Sequence, residues 1–482
     1  MKKVKFYKEN NVPLEFHKAK IVQQVTLLPI RERYQKITEA GNNLFLMQNE
    51  DIYLDMLTDS GVNAMSDKMQ SAMFIADDSY AGSVTYMRMA KKILELFGMR
   101  YFLPAHQGRA CEHILVSHFV HAGDIVPMNY KFDSIKEHLK RANAHLEEFL
   151  SDDGLIAKSD NPFKGNFDII KLENFIKRNG TENIPFIRIE AGTNLIGGQP
   201  ISFNNIREVS MICKQFDILL ILDGSLLQDN LYFIKQREEE CKNMSIRQIA
   251  KAIVNMVDIM YFSARKLGFG RGGGICIRNE KHYLELRDYV TTYEGFTTYG
   301  GMSVREMEAI TVGLEETMNE DIISQGPLFI EFMSRKLTDY GIPVVLPAGG
   351  LGVHINAGEF LKHIPRSEYP AGALSVAIYL ISGIRTMERG TLSENRLPDG
   401  SENYSDMELV RVAIPRRVFT LSQIIFAIDR IKWLFDNKSM IKGLKFYDEP
   451  KNQRFYFGLL APVDDWQVKL IEKFEVDFGD SL

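Results

Sequence analysis

At 482 residues the chain exceeds the length over which one hydrophobic core keeps growing, which predicts two domains or more. An ordinary globular composition, 45% apolar and 25% charged, excludes a disordered chain, and a net charge of −5 argues against broad binding to a nucleic-acid backbone. No apolar run approaches the roughly 20 residues that cross a bilayer, which argues against a membrane role.

The first residues, MKKVKFYKENNVPLEF, carry lysines with no apolar core behind them, unlike a signal peptide; residues 1–60 read as an extended arm followed by a helix. Residues 84–98 place apolar side chains at helical spacing and stop at Gly98. A short strand (101–105) follows, then a second helical stretch (106–123) that stops at Gly123. Strand 185–192, helix 203–216, strand 217–225 with Asp223 at its end, helix 245–256 and strand 257–266 come next. Near-continuous apolar strands alternating with helices predict an α/β fold, its parallel sheet covered on both faces. Such sheets bind ligands at the carboxyl ends of their strands, where Asn194, Asp223 and Lys266 fall. After residue 320 an amphipathic helix (326–341), two short strands (342–358) and a further helix (372–383) predict a smaller α+β domain. Cys111, Cys213, Cys241 and Cys276 show no C-x-x-C pairing and the histidines no ligand spacing, so reduced thiols and a cytoplasmic setting are expected.

The stretch FSARKLGFGRGGGICI (262–277) contains a literal G-x-G-x-x-G from Gly268 to Gly273. A dinucleotide site requires such glycines to open a helix whose N-terminal amides hold a pyrophosphate. Here the sequence GICIR follows, which reads as a return strand, so the glycines are expected to form a tight turn. Lys266 carries more chemistry. A nucleophilic amine needs a strand-end position, restricted water and neighbouring positive charge. Arg265 supplies that charge, and Ser263 a hydroxyl suited to a phosphate oxygen. Asp223 is flanked by apolar residues and needs a cation, a role that a protonated pyridine nitrogen would fill. Spacing alone leaves Lys266 open between a Schiff-base lysine and a solvated strand-end lysine.

Further stretches run in order from about residue 10 to residue 460: LTDSGVNAMSDK (57–68), DDSYAG (77–82), HQGRACE (106–112), NLIGGQP (194–200), DNLYFIKQRE (229–238), SARK (263–266), YEGFTTYGG (293–301), MERG (387–390) and VRVAIPRRVFT (410–420). As a set they resemble the β-eliminating lyases that use pyridoxal phosphate, the family of tyrosine phenol-lyase and tryptophanase, and are nearer the former. The resemblance implies fold type I, like aspartate aminotransferase: a large α/β domain with a mainly parallel sheet and a smaller α+β domain. The expected division is 1–58 for an arm and part of the small domain, 59–320 for the large cofactor-binding domain and 321–482 for the small domain.

By the same resemblance Lys266 forms the Schiff base and returns as a proton carrier, Asp223 pairs with the pyridine nitrogen, Asn194 approaches the ring oxygen and Phe132 stacks on the ring. Gln107, Gly108, Arg109, Ser263 and Arg265 hold the phosphate. Arg411 clamps the substrate α-carboxylate, assisted by Thr58 and Ser60, and Tyr80 is the general acid towards the leaving ring. Elimination through aldimine and quinonoid intermediates would then release an arene, pyruvate and ammonia. A monovalent cation, usually potassium, is implied at the Gly61 carbonyl, with Asp78 in place of the family glutamate. A homotetramer is implied too.

The substrate markers are mixed. Arg389 resembles the arginine that recognises a phenol hydroxyl and Phe455 an aromatic wall, both phenol-lyase features. Asp133 stands where tyrosine lyases carry threonine and tryptophanases aspartate. Leu226 lies at or beside a family arginine that contacts the ring oxygen, Leu267 replaces an acidic residue, and Arg271 is unusual. These departures suggest a divergent member acting on L-tyrosine or an analogue. The alternatives are a tryptophanase-like or other elimination or replacement, or a non-catalytic scaffold.

Overall fold

The computed structural model describes residues 6 and 12–482; the parts of the expected arm at 1–5 and 7–11 lie outside the described residues. The chain divides into two units, one holding Ser60–Pro327 and the other Phe6–Asp59 with Leu328–Leu482.

In the first unit, seven strands build one sheet: β1 (Tyr101–Ala105), β2 (Ile125–Met128), β3 (His145–Glu148), β4 (Phe186–Glu190), β5 (Leu219–Asp223), β6 (Ile259–Ser263) and β7 (Gly273–Ile277). Their spatial order is β1-β7-β6-β5-β4-β2-β3. The apolar runs FIRIE, LLILD and IMYFS form central strands because both faces are covered. Ile189, Leu222 and Phe262 pack with Ile206 and Ile249 of the crossover helices Phe203–Phe216 and Ile246–Val254. Ile221, Ile259 and Tyr261 face Ile114 of the helix Gly108–Phe119 on the other side. Each such large apolar side chain contributes about 1.5–3 kcal/mol when fully buried.

The sheet is parallel except where β7 returns antiparallel beside β6 and β1. The glycine stretch therefore opens no helix, as expected. Local signals hold as well: the helix Val84–Phe97 begins on Ser83, which accepts from the Tyr86 amide, and ends on left-handed Gly98. Most boundaries move by one or two residues, and three differences from expectation are larger. The strand predicted over 257–266 ends at Ser263, which leaves Lys266 on the turn beyond it. The helix predicted over 106–123 covers only Gly108–Phe119. The stretch 342–358 holds one strand, β8 (Gly352–Asn356), and an isolated bridge from Val344, because Pro343 and Pro347 have no amide to donate.

The second unit surrounds the helix Pro370–Ser382, every residue of which is buried. A three-stranded antiparallel sheet runs β9 (Met387–Arg389), β10 (Leu409–Ala413) and β8 in space. All four cysteines are buried in the first unit. Both tryptophans, Trp433 and Trp466, belong to the second. Among the described residues no helix is long and apolar enough to cross a membrane.

Candidate active site

In the first unit the chemistry gathers at the carboxyl ends of β4, β5 and β6. The helix Gly108–Phe119 begins there with Gln107 in an extended conformation and no side-chain cap on its first amides. Such an uncapped terminus favours an anion. A side chain at Gly108 would meet the Ser263 Cβ at 2.9 Å, and one at Gly273 would meet the Phe262 carbonyl at 2.7 Å and the Gln107 carbonyl carbon at 2.9 Å. Glycine at both positions lets the SARK turn and the helix start converge.

Arg265, held by a 2.7 Å bond from the Gly61 amide to its carbonyl, donates to the Ser60 hydroxyl at 3.3 Å. Burial, then the nearby Arg271 and Arg109 guanidiniums, push its pKa down. Such crowded cations are relieved by an anion. Arg109 is exposed, whereas Arg271 bonds Glu306 through its amide at 3.0 Å. The other glycines of the loop pack on the helix Val304–Glu316: a Cβ at Gly270 would lie 2.6 Å from Ile310 Cγ1.

Lys266 sits on the turn after Ser263, its amide donating to the Ser263 carbonyl at 3.1 Å, and its Nζ is 5.8 Å from the centre of the Phe132 ring. Phe132 precedes the helix Asp133–Arg141, which Asp133 opens. Asp223 ends β5. Its Oδ1 accepts the Ser225 amide at 2.9 Å, while Oδ2 takes Arg188 Nη2 at 2.7 Å and the Tyr261 hydroxyl at 3.0 Å. The Asn194 amide donates to Glu190 Oε1 at 3.2 Å. Leu226 is buried, its Cβ 3.1 Å from where a Cβ on Gly192 would stand, so this wall is apolar. The sequence reading assigned no role to Arg188, Glu190, Glu112 and Tyr261. The signal was present: two charges inside the strand FIRIE, which is buried along its whole length.

Two further expected groups in this unit make other contacts. Tyr80 is exposed and stacks on Phe296 at 5.5 Å, with Tyr299 at 5.3 Å; a hydrogen bond with Tyr299 raises its pKa. Asp78, at φ 44°, pairs with Arg305 at 3.7 Å, while Gly61, at φ 77°, lies against the Arg265 guanidinium. No cluster of three metal-ligating His, Cys, Asp or Glu side chains occurs among the described residues.

The second unit brings other expected residues together. Arg411 on β10 is buried, faces Met387 across the β9 pair and donates to the Leu57 carbonyl at 3.0 Å, next to Thr58. Arg389 ends β9 with its guanidinium 5.6 Å from the Phe455 ring centre, and Phe455 meets Phe45 edge-on at 4.7 Å. Behind Arg389, burial and the Glu408 charge push the Glu388 carboxyl up to about 8.

The family model for β-eliminating lyases matches residues 55–429. A tyrosine phenol-lyase from Symbiobacterium sp. (strain SC-1) is 37% identical over 451 residues, 93% of this chain and 98% of that protein. One from Nostoc punctiforme is 38% identical over 444 residues, 92% and 95% of the two chains. Among solved structures, a serine palmitoyltransferase of S. paucimobilis with PLP and myriocin bound superposes with a TM-score of 0.57 at 12% identity, covering 81% of this chain and 89% of that one. That last likeness shows a shared fold. The match across most of the sequence, on a chain whose lysine, carboxylate and uncapped helix start lie at the carboxyl end of the sheet, shows that this protein belongs to the β-eliminating lyase family.

Proposed function

We propose that the protein is a pyridoxal-phosphate-dependent carbon–carbon lyase that cleaves the Cβ–Cγ bond of L-tyrosine or a close aromatic analogue, releasing the arene, pyruvate and ammonia. The observation that carries this reading is the arrangement around Lys266. An amine lies 5.8 Å from an aromatic ring centre, near an uncapped helix start with three mutually repelling arginines, and a carboxylate closes the neighbouring strand. These groups fit a flat pyridine bearing a phosphate. Gln107, Gly108, Arg109, Ser263 and Arg265 would hold the phosphate, Phe132 and Asn194 the ring, and Asp223 its nitrogen.

Bound there, pyridoxal phosphate supplies an electron sink for charge developing at the substrate α-carbon. Lys266 Nζ anchors the cofactor and carries the proton removed from Cα. Arg411 orients the substrate carboxylate as a two-toothed fork. Arg389 takes the phenol oxygen against Phe455, and Tyr80 delivers a proton to the ring carbon that leaves. The substrate roles of Arg411, Arg389 and Tyr80 are supported by the family resemblance alone, as are the homotetramer and the potassium ion at Gly61 and Asp78. Asp133 favours a second reading, a tryptophanase-like preference, since aspartate at this position resembles that branch.

A direct test mixes the purified protein with pyridoxal phosphate. A yellow protein that borohydride bleaches, with a colourless Lys266→Ala variant, supports the cofactor reading; a colourless wild type defeats it. Pyruvate release from L-tyrosine, lost in Arg389→Ala, supports the substrate. Release from L-tryptophan alone would move the assignment to the second reading.

A further inference from the structure

Strand β4 places two charged side chains, Arg188 and Glu190, on the sheet face that carries Asp223. Register sets Glu190, Asp223 and Tyr261 side by side on β4, β5 and β6. Arg188 Nη2 lies 2.7 Å from Asp223 Oδ2, Arg188 Nε donates to the Tyr261 hydroxyl at 2.9 Å, and that hydroxyl is 3.0 Å from the same Asp223 oxygen. One oxygen of the carboxylate thus accepts from Arg188 and shares the single Tyr261 hydroxyl proton with Glu112. Tyr261 also reaches Glu112 Oε1 at 2.8 Å, and Glu112 stands 3.7 Å from Arg188 Nη2. On the far side, Arg188 Nη1 and Glu190 Oε2 are both buried without a hydrogen-bond partner, 3.7 Å apart. A single guanidinium therefore faces three carboxyl groups, and its hydrogen bonds go to the Asp223 side.

We propose that Arg188 is a positioning residue that divides the charge of Asp223, so that the ring nitrogen of bound pyridoxal phosphate meets a weakened partner, and that Glu190 sets how much of Arg188 is left for Asp223. This rests on the cofactor reading above. A carboxylate already bonded to a guanidinium presents less negative potential at its other oxygen. In a water-excluded site the guanidinium charge also opposes a proton on the nearby ring nitrogen. Burial, then the Asp223 charge, push the Glu190 carboxyl up to about 8, against the pull of Arg188, the Asn194 amide and Lys266. The shift favours the neutral acid of Glu190, which leaves Arg188 to Asp223. Above that range it becomes a second anion competing for the same guanidinium.

The test titrates the apo forms of wild type and variants with pyridoxal phosphate, followed by absorbance at a series of pH values. Arg188→Met combined with Glu190→Gln releases Asp223 from the guanidinium while the Ser225 amide and the Tyr261 hydroxyl stay in place. It is expected to bind the cofactor about tenfold more tightly than wild type. The alkaline limb of its affinity profile should also move to higher pH, because the ring proton is held more firmly. Arg188→Lys, which keeps the charge, should stay near wild type. Tyr261→Phe removes one donor from Asp223 with little change in volume, and a gain of about threefold is expected. A purely structural role for the cluster predicts weaker binding in every variant, so affinity equal to or below wild type in a folded double variant overturns the proposal. Should the double variant not fold, Tyr261→Phe decides alone, with a gain supporting the proposal and no gain overturning it. A wild type that stays colourless overturns the cofactor reading and this inference together; a yellow wild type with unmoved variants overturns this inference only.

Discussion

Arg265 and Arg188 belong to the same sheet-and-helix unit, yet they are balanced in opposite ways. Arg265 is crowded by Arg109 and Arg271, with Glu306 as the opposing charge, so positive charge accumulates there. Arg188 is almost wholly buried and faces Glu112, Glu190 and Asp223 within 3.7 Å. The first arrangement awaits an anion from outside, and water solvates its exposed members, Arg109 and Arg271, until one arrives. The second has its closest counter-charge, Asp223, in place when the chain folds. Substitutions at the anion-binding end should therefore act on cofactor affinity, and those around Arg188 on both affinity and stability.

The largest effect is expected at the amine itself. Lys266→Ala should reduce lyase activity by at least about a thousandfold and remove the yellow colour, read by steady-state assay and absorbance. Asp223→Asn comes next. It leaves a buried guanidinium without its closest carboxylate, which costs about 3–5 kcal/mol, so the apo protein should unfold at clearly lower denaturant. Little change in the apo midpoint would mean that Arg188 is satisfied elsewhere. At the other end Arg109→Ala should leave the apo midpoint within about 0.5 kcal/mol while weakening cofactor binding about tenfold, more so at low salt. A loss of stability there would erase the contrast.

The pH dependence sharpens the same comparison. Folding raises the Glu190 pKa from an ordinary 4.5 to about 8, so the folded state holds a proton that the unfolded chain releases. Stability from this group is full below 4.5 and is lost as pH rises towards 8. Glu190→Gln should therefore gain on wild type in melting temperature across that window and gain no further above it. Smallest of all, exchanging potassium for sodium should change activity by no more than about twofold. Asp78 is exposed and paired with Arg305, an arrangement whose net worth is low. A larger effect would show that the cation site is intact.

What was legible in the sequence follows the range of the interactions. FIRIE, LLILD and IMYFS announce buried strands because their apolar character is local, and SARK, the stretch proposed to meet the cofactor, lies within four consecutive residues. The return strand after the glycines was legible for the same reason. The Arg188–Asp223 and Tyr261–Asp223 bonds were not. They join residues 35 and 38 positions apart through the register of parallel strands, which no local pattern encodes. Ser60 is similar: its bond from Arg265 spans 205 positions. The strand predicted to Lys266 overruns because Ala264, Arg265 and Lys266 carry no Gly or Pro to mark the end of the ladder of backbone bonds at Ser263.

The partition of the chain into two units also distributes its natural reporters. Cys111, Cys213, Cys241 and Cys276 all lie in the first unit, buried, and burial raises the pKa of each thiol, so a thiol-reactive dye labels that unit only when it opens. Trp433 and Trp466 lie in the second, so intrinsic indole fluorescence follows that unit alone. The unaltered protein thus carries separate optical and chemical signals for its two halves. If labelling and fluorescence change at one denaturant concentration, the halves unfold together; two midpoints would give each its own stability without a single engineered probe.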